Sequence, residues 1–335
     1  MRPRPSFVVI LVLFAVAVSL GAAELMLRWR GAMPWLQLPK PPNQPVLASE
    51  DPVLVWDNKP GRHVFPGYSP EVKEVTITVE PDGSRSAGPT PSRPKARVAL
   101  LGDSIAFGWA ISDDETFAWK LQARFPDVAF VNHGVSGYGT YQSFLKMRRL
   151  MAEDPPPDLI LYGFYHDHLQ RNVQSLQWVD MHDRNDRPST APYCTTDADG
   201  HLLEHPGEPI SRWPLRRSLA SVYFVEQLLT RRRVAKRSAY AWPVMQSLAV
   251  EMDRIARARG SRFVLLFLMS RPGVSRPLTE FLRSHDIAFL DCNRVLRPQW
   301  MVKGEGHPNG AMNDEWADCV AAALPGLLAE RGGAR

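Results

Sequence analysis

The sequence predicts an α/β protein: a doubly wound three-layer α/β/α sandwich with a parallel sheet, preceded by one N-terminal transmembrane helix. Three observations carry this reading. After residue 95, short apolar runs alternate with segments of helical spacing, the pattern of a parallel sheet covered on both faces. From Phe7 to Ala23 (FVVILVLFAVAVSLGAA) no charge interrupts the chain. Between these two regions the sequence is rich in proline and turn residues.

The opening segment is apolar on every face, and its character resumes at Leu25, Met26 and Leu27. About 20 residues at 1.5 Å rise cross the roughly 30 Å hydrocarbon layer. Arg2 and Arg4 precede it, as for a cytoplasmic N-terminus, while Arg28 and Arg30 follow and weaken the bias. Gly21-Ala22-Ala23 would also suit signal peptidase. Glu24 and the apolar residues beyond it favour a helix that continues uncleaved. Either way the remainder is expected to face the periplasm or exterior.

Residues 1–30 are therefore an anchor or signal, 31–95 a linker with a small β extension, and 96–335 the main domain. In the extension, Val72–Val79 alternates and meets Pro81-Asp82-Gly83, a strand entering a turn. In the main domain Arg97–Leu101, Val128–Val131, Asp158–Tyr162, Phe263–Leu268 and Ile287–Leu290 read as buried strands. Glu115–Ala123, Tyr141–Met151, Leu215–Leu229, Trp242–Ala258, Leu278–Ser284 and Ala311–Glu330 read as helices. Residues 173–213 are polar and tryptophan-bearing, and are expected as an insertion near the strand ends, where such enzymes bind ligands.

Composition excludes some functions. The charge of +5 is largely local, in Arg231–Arg233 with Lys236 and Arg237, and around the apolar segment. No aromatic–basic interleaving suggests a nucleic-acid surface. Three cysteines, Cys194, Cys292 and Cys319, form no CxxC. One pair could bridge in an oxidising compartment, and spacing does not say which.

Two short motifs carry chemistry. Gly102-Asp103-Ser104 follows the first buried strand. A serine at such a junction holds its hydroxyl at the open end of a sheet, where the next helix N-terminus favours developing negative charge. The same tripeptide also makes an ordinary helix cap. In Glu305-Gly306-His307-Pro308-Asn309 a histidine stands two residues after a carboxylate, as orientation of an imidazole requires. His166-Asp167-His168, with His182 and Asp183, could be imagined as a metal site. Helical residues one or two apart diverge, however, so no metal and no cofactor is expected.

Taken together, Gly102–Trp109 (GDSIAFGW), Val131–Thr140 (VNHGVSGYGT), Leu159–Asp167 (LILYGFYHD) and Glu305–Gly310 (EGHPNG) resemble the ordered blocks of the SGNH (GDSL-like) hydrolase superfamily, in its membrane-anchored bacterial type. The resemblance covers about residues 96–330, with uncertain alignment at 173–260. It implies Ser104 as nucleophile, His307 as general base, and Glu305 in place of the usual aspartate. The oxyanion hole would use the backbone N–H groups of Ser104 and Gly137. The family's asparagine donor falls on His166, with Asn172 as the alternative, and Asp103 and Asn309 are supporting residues. The implied activity is a serine esterase acting on O-acyl, most simply O-acetyl, esters of a carbohydrate or cell-envelope polymer. It would be a single-pass protein of the bacterial inner membrane. An exopolysaccharide O-acetyltransferase and a catalytically impaired glycan-binding relic are the alternatives.

Overall fold

A computed structural model describes residues 5–39, 47–68, 72 and 74–329. In chain order the elements are α1 (Pro5–Trp29), β1 (Ala48–Asp51), β2 (Val55–Asn58), β3 (Gly61–Pro66), β4 (Glu74–Val79), β5 (Ala96–Leu101), α2 (Ser104–Phe107) and α3 (Phe117–Arg124). There follow β6 (Val128–Asn132), α4 (Thr140–Met151), β7 (Leu159–Tyr165), α5 (His168–Asn172), α6 (Leu176–Arg184), β8 (Tyr193–Thr196), β9 (Leu202–His205) and α7 (Ala220–Val234). The chain closes with α8 (Ala241–Ala258), β10 (Arg262–Met269), α9 (Pro272–Ser284), β11 (Phe289–Asp291) and α10 (Gly310–Ala329). Arg2, Arg4, part of the proline-rich linker, Lys73 of the expected extension strand and Glu330 lie outside the described residues.

The chain divides into two compact units. The larger comprises Gln44–Gln174, Ala191–Gly207 and Arg237–Arg335. Among its described residues, five strands form one parallel sheet in the order β11-β10-β7-β5-β6. Alternate residues of each strand enter opposite cores. Ala99, Leu101, Ile160, Tyr162, Phe263 and Leu265 pack towards α4, α8 and α9. Val98, Leu100, Leu159, Leu161, Val264 and Leu266 pack towards α3 and α10. The chain leaves β5 for β6 on one side and later returns to build β7, β10 and β11 on the other. The β5–β7 boundary is therefore a topological switch point, which opens a crevice beyond the strand ends.

The smaller unit comprises Met1–Asn43, Ser175–Thr190 and Glu208–Lys236. In it Arg216 is buried between Asp183 and Glu226, the second contact at 2.8 Å. Its guanidinium also lies 5.2 Å from the Trp35 ring centroid.

Two helix starts lie well away from the sequence expectation, the others within a residue or two. The helix expected at Leu215–Leu229 begins instead at Ala220, because the Glu24 carboxylate accepts the N–H groups of Ala220 and Ser221 at 2.9 and 2.8 Å. Such a cap from a distant residue leaves no local signal. α9 starts at Pro272 rather than Leu278, with that proline in the first turn, where its missing N–H costs nothing. Cysteine pairing is also decided: Cys292 bridges Cys319 on α10, and Cys194 remains a buried thiol whose ionisation burial pushes up.

Candidate active site

Ser104 opens α2 directly beyond β5, at the switch point. Gly102 makes the approach feasible, with φ +149° and a would-be Cβ only 2.7 Å from Ala106 Cβ and 2.9 Å from Gly163 O. Any side chain there would push the serine turn off β7. Asp103 caps α2, accepting the Ile105 N–H at 2.9 Å. As the first residue of the helix, Ser104 has an N–H with no intrahelical acceptor.

At the opposite end of the domain sequence, the loop before α10 brings His307 to this serine. His307 Nε2 lies 2.9 Å from Ser104 Oγ. His307 Nδ1 lies 2.9 and 2.8 Å from the two Glu305 oxygens, and its backbone N–H donates to Glu305 at 2.8 Å. Because a carboxylate only accepts, the ring hydrogen sits on Nδ1 and leaves the Nε2 lone pair for the serine proton. Gly306 (φ +94°) turns the backbone so that residues 305 and 307 present their side chains to each other. The Val302 N–H donates to His307 O at 2.7 Å and closes the loop. Asn309 then caps α10 by accepting from Ala311 and Met312, while its amide donates to Gln299 O.

Glu305, where the resemblance implies an aspartate, reaches His307, and a residue the sequence reading missed explains how it is held. Trp109 Nε1 donates to Glu305 Oε1 at 3.1 Å. Burial alone would raise the Glu305 pKa. Hydrogen bonds from the His307 ring, the His307 backbone N–H and Trp109 outweigh it and hold the carboxyl below its ordinary value. Burial and the Glu305 charge push the nearby Tyr68 hydroxyl up to about 12.

A second missed network lies behind the serine. Asp103 Oδ2 is 2.8 Å from Arg171 Nη1 and 3.2 Å from His168 Nε2. The Tyr162 hydroxyl joins His168 Nδ1 at 2.6 Å to Thr140 Oγ1 at 2.8 Å. Burial opposes the Asp103 charge, but His168, Arg171 and the Ile105 N–H prevail and hold the carboxyl well below the carboxylate range. Burial also lowers the pKa of His168, against the pull of the Asp103 carboxylate. Arg171 Nη1 donates as well to Tyr138 O at 2.9 Å, so one guanidinium ties the serine turn to the loop carrying Gly137. That loop is fastened twice more, by Val135 N–H to Gly102 O at 3.0 Å and Trp56 Nε1 to Ser136 O at 3.0 Å. In sequence, Arg171 and His168 offered only the signal of charged residues soon after a buried strand.

Two expected donors are corrected. His166 Nδ1 lies 3.1 Å from Met269 O. A carbonyl can only accept, so Nδ1 carries a hydrogen and is committed to Met269 rather than to an oxyanion. Asn172 is buried, with its amide oxygen accepting the Tyr141 N–H at 3.0 Å and its nitrogen 3.9 Å from Met245 Sδ. It caps α4 rather than serving the serine. Within the imagined metal cluster, the His166 ring faces Met269 O and the His168 ring faces Asp103 and Tyr162, so the two rings do not converge.

This doubly wound α/β/α sheet order, with a serine at the switch point and a histidine loop before the last helix, is the arrangement that the SGNH resemblance implies. No protein-family model and no curated protein matches the sequence. Among solved structures the chain is similar to a lipolytic G-D-S-L family protein of Veillonella parvula, at 14% identity and TM-score 0.39, over 68% of this chain and 98% of that one. It is also similar to the psychrotrophic esterase EstA of a Pseudoalteromonas species, at 11% identity and TM-score 0.39, over 69% and 100%. A third is a family two carbohydrate esterase of Clostridium thermocellum, at 8% identity and TM-score 0.37, over 71% and 66%. Likeness at this level concerns the fold, and function has to be argued from the site.

Proposed function

We propose that the chain is a membrane-anchored serine esterase that hydrolyses O-acyl, most simply O-acetyl, esters of a carbohydrate or cell-envelope substrate. The observation that carries the reading is the continuous line Ser104 Oγ, His307 Nε2, His307 Nδ1, Glu305, with contacts of 2.8 to 2.9 Å. Ser104 Oγ adds to the ester carbonyl carbon as His307 Nε2 takes its proton, and Glu305 stabilises the imidazolium that forms. The oxyanion is met by the N–H groups of Ser104 and Gly137. Collapse returns the proton to the leaving alcohol. Water then attacks the acyl-serine as His307 takes its proton; collapse breaks the bond from Ser104 Oγ to the acyl carbon, returns that proton to Oγ and releases the carboxylic acid.

The anchor is α1, whose segment Ser6–Trp29 is long and apolar enough to cross a membrane. A periplasmic or exterior site is supported by the Cys292–Cys319 disulfide, since such bonds persist in oxidising compartments. The test is acetate release from acetylated glycans by the full chain in detergent, beside its Ser104→Ala variant. Release that is equal in the two would refute the serine mechanism.

A further inference from the structure

The smaller unit contains a surface that the esterase reading does not use. α7 packs Glu226 against Arg216 and directs Tyr223 towards Asp183. On its other side Phe224, Val225, Leu228 and Leu229 are 39 to 48% exposed. Their i, i+1, i+4, i+5 spacing makes one continuous apolar stripe. Just before the helix, Trp213 and Leu215 are exposed too. The stripe runs into Arg231, Arg232 and Arg233, all exposed.

What covers this surface follows from where α7 begins. Its first two N–H groups are held by Glu24, and Arg28 donates to Ser218 O at 2.7 Å. Both side chains belong to the last turns of α1, where a helix crossing the hydrocarbon layer emerges into the headgroups, and Trp29 there is exposed. The start of α7 is therefore tied to headgroup depth. An apolar stripe with arginines, fixed at that depth, suits acyl chains below and anionic headgroups alongside.

We propose that α7 is a second membrane element, resting its Phe224–Leu229 stripe in the interface of an anionic bilayer with Arg231–Arg233 against the headgroups. The proposal rests on α1 being a membrane anchor. Its consequence is that the smaller unit lies against the bilayer rather than swinging on a single tether.

The test uses the full chain in vesicles. Leu228→Cys carries an environment-sensitive fluorophore, and exposed Lys95→Cys in the larger unit is the reference. In vesicles of phosphatidylcholine and phosphatidylglycerol, the label at 228 should shift to the blue. Lipids spin-labelled near the headgroup should quench it at least about twofold more than the label at 95. Reversing Arg231, Arg232 and Arg233 to glutamate should reduce that quenching, since each basic side chain near an anionic leaflet strengthens contact about fivefold. A label at 228 as wet as that at 95 would overturn the proposal. Disulfide cross-linking of two Leu228→Cys chains in place of lipid quenching would also overturn it, making the stripe a contact between copies. Alkaline carbonate extraction reports on α1 separately: release of the chain would remove the anchor, whereas retention with a wet label removes only the role of α7.

Discussion

Two carboxylate–histidine pairs flank Ser104, and the same residue types do different work in them. Glu305–His307 lies on a loop, with the His307 side chain 27% exposed and its second nitrogen on the serine. Asp103–His168 is fully enclosed, with His168 0% exposed and its second nitrogen on Tyr162. An imidazole can shuttle protons when one nitrogen is oriented by a carboxylate and the other faces substrate. When both are held by the protein and water is excluded, the ring becomes a strut. The comparison separates catalysis from positioning by what the far nitrogen meets, not by the presence of a carboxylate.

The largest effects are expected at Ser104 and His307, on which the proposed chemistry depends. Ser104→Ala and His307→Ala should each lower kcat/KM for p-nitrophenyl acetate by roughly 10,000-fold or more, with little change in unfolding midpoint. Activity within about tenfold of the parent would assign the chemistry elsewhere. Glu305→Gln should lower kcat by roughly 100- to 10,000-fold, again without a large stability change.

Asp103→Asn should behave in the opposite way. Removing the charge breaks the buried ion pair of Asp103 with Arg171, which costs about 3–5 kcal/mol in urea unfolding. A variant of Asp103 that loses kcat while keeping its stability would merge the two pairs into one machine. Acid titration sharpens the point. His168, whose pKa burial lowers, contributes stability that starts to fall as pH drops through the ordinary histidine range. Asp103 and Glu305, both held below their ordinary values, contribute stability present above the carboxylate range and lost as pH falls through it. The melting temperature should therefore decline steadily from neutral pH downward, and less steeply in Asp103→Asn.

The smallest effect is expected at His166. With its hydrogen on Met269 O, His166→Ala should change kcat/KM by less than about tenfold, whereas losing a true oxyanion donor costs about 100- to 1000-fold. A drop of the larger size would return the ring to the oxyanion hole.

Much of this was legible in the residues because it depends on local patterns. The strands at Arg97–Leu101 and Phe263–Leu268 announced themselves by unbroken apolar runs, which only a sheet buried on both faces demands. Ser104, Glu305 and His307 stood in short motifs whose neighbours shape the turn. Trp109, Arg171 and His168 were not legible as partners, because their contacts close over 196, 68 and 65 residues of chain. His166 was misjudged since its role turns on which atom its Nδ1 meets, and Met269 comes from another strand.

By itself the sequence determined the apolar opening helix, the alternating α/β pattern and the serine and histidine blocks, each a matter of periodicity or of a few adjacent residues. Only the tertiary structure decided the cysteine pair, the start of α7, the hydrogen bond from Trp109 to Glu305 and the direction of His166. Each of these depends on an atom brought from a distant part of the chain, and residue order alone does not record that distance.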